Sequence, residues 1–241
     1  MEIGSRPRLR PMECPPTSHP MLPALAHIDA WIFDLDNTLY PASADLFGLI
    51  DKRMTAYVMR ITGLSFDEAY KVQKGYFREH GTTLNGLMLE HGVDPHEFLA
   101  DVHAIEMNVL QEDKNLIDAI ARLPGRKLVF TNGDVPYAQR VLASVGLSES
   151  FEAIHDIHAM AYKPKPHEHA YASMIQAFRI DPARALFADD LARNLPPAKA
   201  AGLTTLWIDN GSEQVGADII DGIDYRASDL GQWLHEILRE E

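Results

Sequence analysis

Four short apolar runs, AWIF at 30–33, KLVF at 127–130, ALFA at 185–188 and TTLWI at 204–208, each end in polar or acidic residues. Most are followed by a stretch with helical periodicity, and that alternation argues for parallel βα units rather than hairpins. A weaker strand candidate lies in FEAIHDI at 151–157, while 135–145, 167–179, 192–201 and 228–239 read as helices. The order is that of a doubly wound, Rossmann-like α/β sheet.

The interval from Ala42 to Gly125 breaks this rhythm, being far longer than a crossover helix requires and holding nothing that reads as a strand. SFDEAYKVQKGYFREHG opens with Ser65 and Glu68 at capping-box spacing, carries Ala69, Val72 and Tyr76 along one face, and stops at Gly81. A second helix starts at Asp94 with Pro95 in its first position. The expected organisation is a proline-rich disordered tail over 1–28, a core of 29–41 and 126–241, and an all-helical insertion over 42–125.

The chain has 241 residues, enough for one large domain or a core with a smaller one, without disulfides. Its single cysteine, Cys14, points to a reducing, cytoplasmic setting. A net charge of −13 argues against nucleic acid polymers and anionic membranes as partners, since both require clustered Lys and Arg. No apolar stretch approaches the roughly 18 residues of a membrane span. The first 28 residues lack the apolar centre of a signal peptide, and Met21 is a conceivable alternative start.

In open α/β sheets ligands bind outside the carboxyl ends of the strands. The residues at those ends are Asp34 and Asp36 after the first run, Thr131, Asn132 and Gly133 after the second, and Asp189 and Asp190 after ALFA, with Asn194 beyond. Carboxylates converging on one crevice repel one another unless a cation sits among them, and an oxygen-liganded ion such as Mg²⁺ fits. A hydroxyl, helix-start N–H groups near Val135 and a lysine suit an anion with several acceptor oxygens, and a phosphate satisfies both halves. Each element alone has a plainer explanation: DNT as an Asx-turn, Thr131 or Asn132 as a helix cap, YKPKP as a solvated loop, the acid doublet as a complement to a helix dipole.

Taken in order, FDLDNTLY, FTNGD, YKPKP and FADDLARN, with a long helical insertion between the first two, resemble the haloacid dehalogenase superfamily of phosphatases. The resemblance spans roughly Ala30 to Asn210 and implies a Rossmann-like core with a mobile helical cap. By it, Asp34 is the nucleophile that forms an aspartyl-phosphate, and Asp36 protonates the leaving oxygen and then activates water. Thr131 and the Asn132 amide hold the phosphoryl oxygens, and Lys163 neutralises the transferring group. Asp190 ligates Mg²⁺ with Asp34 and the Asp36 carbonyl, while Asp189 holds the metal shell or a ligating water. Lys165 competes for the basic role, but the proline pattern selects Lys163. Leu191 stands where many relatives have a small hydroxyl residue. Dehalogenases of the superfamily lack the acid two residues after the nucleophile, so Asp36 argues for a phosphatase.

Within the phosphatases, LDNTLYP, the run YFREHGTTLNGLM and the acid doublet look similar to the pyrimidine 5′-nucleotidase group. That likeness implies a small phosphorylated substrate, a nucleoside monophosphate such as UMP or CMP, taken by a monomer or homodimer. Thr82, Thr83 and Asn85 are then the expected substrate contacts, although relatives often carry arginine at the position of Asn85. A sugar phosphate or other small phosphomonoester is the alternative substrate, and a non-catalytic binding protein on the same fold is the alternative class. His155 with His158, and His167 with His169, have metal-compatible spacing without a third ligand and read as solvated or capping residues. Lys52, Lys71 and Lys74 fit solvated helix faces.

Overall fold

The computed structural model describes residues 23–212 and 221–238. Six strands, β1 (Ala30–Phe33), β2 (Arg126–Phe130), β3 (Ala153–His155), β4 (Ala185–Asp189), β5 (Thr204–Ile208) and β6 (Tyr225–Ala227), form one parallel sheet in the order β3-β2-β1-β4-β5-β6. Central β1 pairs with β2 on one side and β4 on the other, Phe33 lying level with both Val129 and Ala188. All four β1 residues are buried, as expected of a strand covered on both faces, which is why its run shows no polar alternation. Because the strand order reverses between β1 and β4, a crevice opens beyond the carboxyl end of β1. β6 escapes sequence reading, being a three-residue edge strand with an exposed arginine at its centre.

Five helices separate β1 from β2: α1 (Leu46–Thr62), α2 (Phe66–His80), α3 (Thr83–His91), α4 (Pro95–Val102) and α5 (Lys114–Arg122). The capping box at Ser65 and Glu68 is formed, and the Asp94 carboxylate accepts from the His96 and Glu97 N–H groups ahead of Pro95. α1, α2, α3 and α4 pack on one another. Gly86 allows α3 to lie flat on the Tyr76 ring, where an added Cβ would fall 2.2 Å from a ring carbon. α5, in contrast, packs against α9 (Leu230–Ile237), so the interval 42–125 is not a single packing unit and its last helix sides with the core.

The remaining helices, α6 (Val135–Ser144), α7 (Glu168–Phe178) and α8 (Leu195–Ala200), follow β2, β3 and β4 as the sequence periodicity anticipates. The helix expected over 192–201 begins instead as a 3₁₀ turn, Ala192–Asn194, and α8 starts at Leu195 with prolines in its first turn. The tail expected over 1–28 is shorter at its inner end. Leu25 and Ile28 are buried, and the Asp29 N–H donates to the Arg184 carbonyl, because these two apolar side chains reach the sheet's core. The rest of that expectation, residues 1–22, lies outside the described residues. No helix among the described residues is long and apolar enough to cross a membrane.

Candidate active site

Asp34 leaves β1 still bonded to the sheet, its N–H donating 2.9 Å to the Ala188 carbonyl. Leu35, fully buried, turns inward, and the chain then reverses at Asn37 with φ of 58°, a left-handed conformation that asparagine tolerates better than most residues. The alternation that buries Leu35 therefore sets Asp34 and Asp36 on the crevice side together.

Lys165 occupies the centre of the site. Its ammonium donates 2.7 Å to Asp34 Oδ1, 2.7 Å to Asp189 Oδ2 and 2.9 Å to the Phe130 carbonyl, and the residue is 1% exposed. Lys163, the lysine selected from the proline pattern, is exposed and stands outside this cluster. The reason lies in Asn132, whose side chain accepts from the Lys165 N–H and donates to the Lys165 carbonyl at 2.9 and 3.2 Å. That two-point strap fixes the backbone at 165, so it is this side chain that turns in. Burial alone would lower the Lys165 ammonium, but Asp189 and Asp34 outweigh it and hold its pKa above the ordinary lysine value.

The acids differ in how they are held. Asp189, fully buried, accepts from Lys165, from the Leu191 N–H and from both contacts of the Asn194 amide. Asp190 accepts from the Ser212 hydroxyl at 2.6 Å. Asp34 receives Lys165 on one oxygen and Thr38 on the other at 3.4 Å. One oxygen from each of Asp34, Asp189 and Asp190 lies within 4.8 Å of the others, the group suited to a cation among the described residues. Burial, and repulsion from Asp189 and Asp36 only partly offset by Lys165, push the Asp34 carboxyl up to about 7. Burial, then the charges of Asp34 and Asp189, hold Asp190 well above the carboxylate range.

Asp36 has different surroundings. Its Oδ1 accepts from the Tyr40 hydroxyl at 2.6 Å and the Tyr137 hydroxyl at 2.5 Å. Both phenols are pushed well above their ordinary pKa, by burial first and then by the Asp36 charge. Tyr137 stacks on His103 at 4.2 Å between centroids, and His103 in turn bonds Asp134, the N-cap of α6. Sequence reasoning misses both tyrosines; Tyr40, four residues from Asp36, is the available signal. Thr131 is fully buried, and its hydroxyl oxygen accepts from the Gly133 N–H, which leaves the hydroxyl proton to donate.

Asp34, Asp36, Asn132, Lys165 and Asp190 line the floor of a cavity of about 550 Å³ roofed by α1, α2 and α4. Thr82 and Thr83 reach it, whereas Asn85 does not: its side chain donates to the His80 carbonyl and its N–H is capped by Thr82. Lys74 is not on a solvated face; half-buried, it lines the cavity beside Gln73 and shares Asp51 with it at 2.6 and 2.5 Å. The histidine pairs are structural: His155 is buried against Ser173, His158 stacks on His96, and His167 caps α7.

A family model described as a haloacid dehalogenase-like hydrolase matches residues 28–202. The chain is 26% identical over 191 residues to Phosphate metabolism protein 8 of Saccharomyces cerevisiae, an alignment covering 72% of this chain and 59% of that one. It is 28% identical over 134 residues to an (S)-2-haloacid dehalogenase of Xanthobacter autotrophicus, covering 54% and 52%. The chain thus spans about half to three-fifths of the curated relatives it matches. Among solved structures, a HAD phosphatase from Thermococcus onnurineus superposes with a TM-score of 0.60 at 19% identity, covering 89% of this chain and 99% of that one, a likeness of fold.

Proposed function

The chain belongs to the haloacid dehalogenase-like hydrolase family, and we propose that it is a Mg²⁺-dependent phosphomonoesterase that works through an aspartyl-phosphate. The observation that carries this reading is the pairing of a lysine-bound Asp34 with a second acid, Asp36, on the same wall of one cavity. A dehalogenase needs the first acid only. A phosphatase must also protonate an alkoxide leaving group and later deprotonate water, and Asp36, held by two tyrosines with its other oxygen open, suits both steps.

The donor set fits a divalent cation. Asp34 and Asp190 supply carboxylate oxygens, and the buried Oδ1 of Asn194, whose amide holds Asp189, has no partner among the described residues. Asp189 is already saturated by Lys165, Leu191 and Asn194, so it suits an orienting role, whereas Asp190 carries a single hydrogen bond. Asp34, Asp190 and the Asp36 carbonyl would hold Mg²⁺, which when bound supplies charge neutralisation for the transferring group.

The protein's own steps are then simple. Asp34 attacks phosphorus while Lys165 offsets the charge that gathers on the phosphoryl oxygens, Thr131 donates to one of them, and Asp36 delivers a proton to the departing oxygen. After the product leaves, the same Asp36 takes a proton from the water that opens the aspartyl-phosphate. Replacing Tyr137 by phenylalanine keeps the stack on His103 but removes one donor to Asp36; turnover is expected to fall about tenfold with KM nearly unchanged, and about a hundredfold with Tyr40→Phe added. Steady-state kinetics on a single substrate check this, and a loss confined to KM would contradict it.

We further propose that the helices α1–α4 act as a cap that selects the leaving group, and that pyrimidine nucleoside 5′-monophosphates are its substrates. The cavity is of a size for one nucleotide, and its cap wall combines the rings of Phe47, Phe77 and Phe98 with the Gln73–Asp51–Lys74 cluster, a surface suited to an aromatic base with polar edges. The test is phosphate release with Mg²⁺ from UMP, CMP, AMP, GMP and sugar phosphates, with and without chelator. UMP and CMP should exceed the purine nucleotides in kcat/KM by at least about tenfold. Higher rates on sugar phosphates would replace the substrate assignment, and no Mg²⁺-dependent release from any ester would overturn the phosphatase reading.

A further inference from the structure

Among the described residues, Arg193 is a cation of this cavity with no acceptor for one edge of its guanidinium. It lies on the turn after β4, between the acid doublet and Asn194, and it lines the same cavity as Asp34 and Asp36. Its guanidinium sits 4.2 Å from the centroid of Phe77 on α2, so a core residue reaches the wall built by the cap helices. Nε and Nη2 are both shielded from solvent and have no hydrogen-bond partner among the described residues.

Those two nitrogens form one edge of the guanidinium, a fork of two parallel donors. Arg126 presents the same edge to the two oxygens of Glu152, and Arg226 presents it to a single oxygen of Asp209. The Arg193 fork therefore matches a carboxylate or a single carbonyl oxygen equally well. Its backbone is not free to swing, since the flanking Asn194 is tied to Asp189 by its amide and to the Tyr171 hydroxyl by its carbonyl at 2.7 Å.

A buried donor left without a partner keeps its full desolvation cost, so such a fork favours whatever ligand completes it. On the phosphomonoesterase reading the phosphoryl group already has Asp34 and Lys165 on the cavity floor. Phe77, the residue that Arg193 touches, belongs instead to the wall shared with Thr82 and Thr83. Resting on the phosphomonoesterase reading, we propose that Arg193 is a specificity residue: its Nε and Nη2 donate to an acceptor oxygen of the leaving group, a ring carbonyl or a carboxylate. A leaving group without such an oxygen leaves the fork unpaired and is discriminated against for that reason.

The experiment compares wild type, Arg193→Gln and Arg193→Lys with Mg²⁺ on three esters: UMP, whose base carries carbonyl oxygens; phosphoglycolate, whose leaving group carries a carboxylate; and phenyl phosphate, which offers neither. The lysine variant keeps the charge and the stem while losing the fork, and circular dichroism with thermal melting shows that both variants fold. In both, kcat/KM should fall about 30-fold or more on whichever of the first two esters is the better wild-type substrate, and within about threefold on phenyl phosphate. The ester that suffers identifies carbonyl or carboxylate as the oxygen recognised. An equal loss on all three would place Arg193 on the phosphoryl group or in the fold and overturn the assignment, as would no loss on any. Release of phosphate from none of them by the wild type would remove the phosphatase reading and this assignment with it, a result distinct from either.

Discussion

Replacing Lys165 by methionine is expected to remove at least about a thousandfold of kcat/KM and to lower stability by about 3–5 kcal/mol. Both effects have one cause. The ammonium is 1% exposed and bridges Asp34 and Asp189 at 2.7 Å each, so its removal leaves two buried carboxylates facing each other with no counter-charge. Methionine, close to lysine in length, fills the space beside Phe130 and Phe187, whose ring centroids lie 5.0 and 5.1 Å from the ammonium, so the loss measures charge and not a void. Lys163→Met, two residues earlier on the exposed side of the same loop, should change stability by less than about 0.5 kcal/mol and activity by less than about twofold. Chemical denaturation and phosphate-release kinetics on the two variants decide the matter. Equal behaviour of the pair would contradict the assignment of the buried lysine.

That pair of lysines also marks where sequence reading stops. YKPKP offers two lysines, each before a proline, and the proline pattern selects Lys163, the one that the structure leaves exposed. The choice is made 33 residues away by the Asn132 side chain, which clamps the backbone of one and not the other. The strands and the acids after them are legible because a buried strand is a short apolar run and its carboxyl end has a fixed direction, two properties carried by consecutive residues. Cap-wall residues are not. Asn85, with its polar side chain in a polar loop, looks like a ligand and is a partner for the His80 carbonyl, whereas Lys74 looks solvated and lines the cavity because Asp51, on the preceding helix, draws it inward. Arg193 and Tyr137 have the same character: their meaning lies in a partner from another element, which spacing along the chain does not encode.

Asp34→Asn is expected to abolish turnover, by at least about 10⁴-fold, since an amide cannot form the acyl-phosphate. It should also change how stability depends on pH, in a direction opposite to that of most carboxylate removals. Burial and the neighbouring acids raise the Asp34 carboxyl to about 7 from 3.8. Between those values the folded chain keeps a proton that the unfolded chain has released, so the favourable contribution of the group is complete below about pH 4 and is lost as pH rises toward 7. A rise of that size sets a ceiling of about 4 kcal/mol, and the expected effect is about half of it, or about 5 °C. Asparagine has no such titration. In metal-free buffer the melting temperature of the variant minus that of the wild type should therefore climb from pH 4 to 7.5; the loss of a partner for Lys165 shifts the whole curve without giving it this slope. A flat difference would contradict the protonated, metal-free Asp34. Mg²⁺ competes with that proton for the same oxygens, so millimolar Mg²⁺ should raise the wild-type melting temperature more at pH 7.5 than at pH 5, and should do less for the variant at either pH. Calorimetric scans at the two pH values, with the two chains side by side, separate a cation held by this acid cluster from one acting anywhere else.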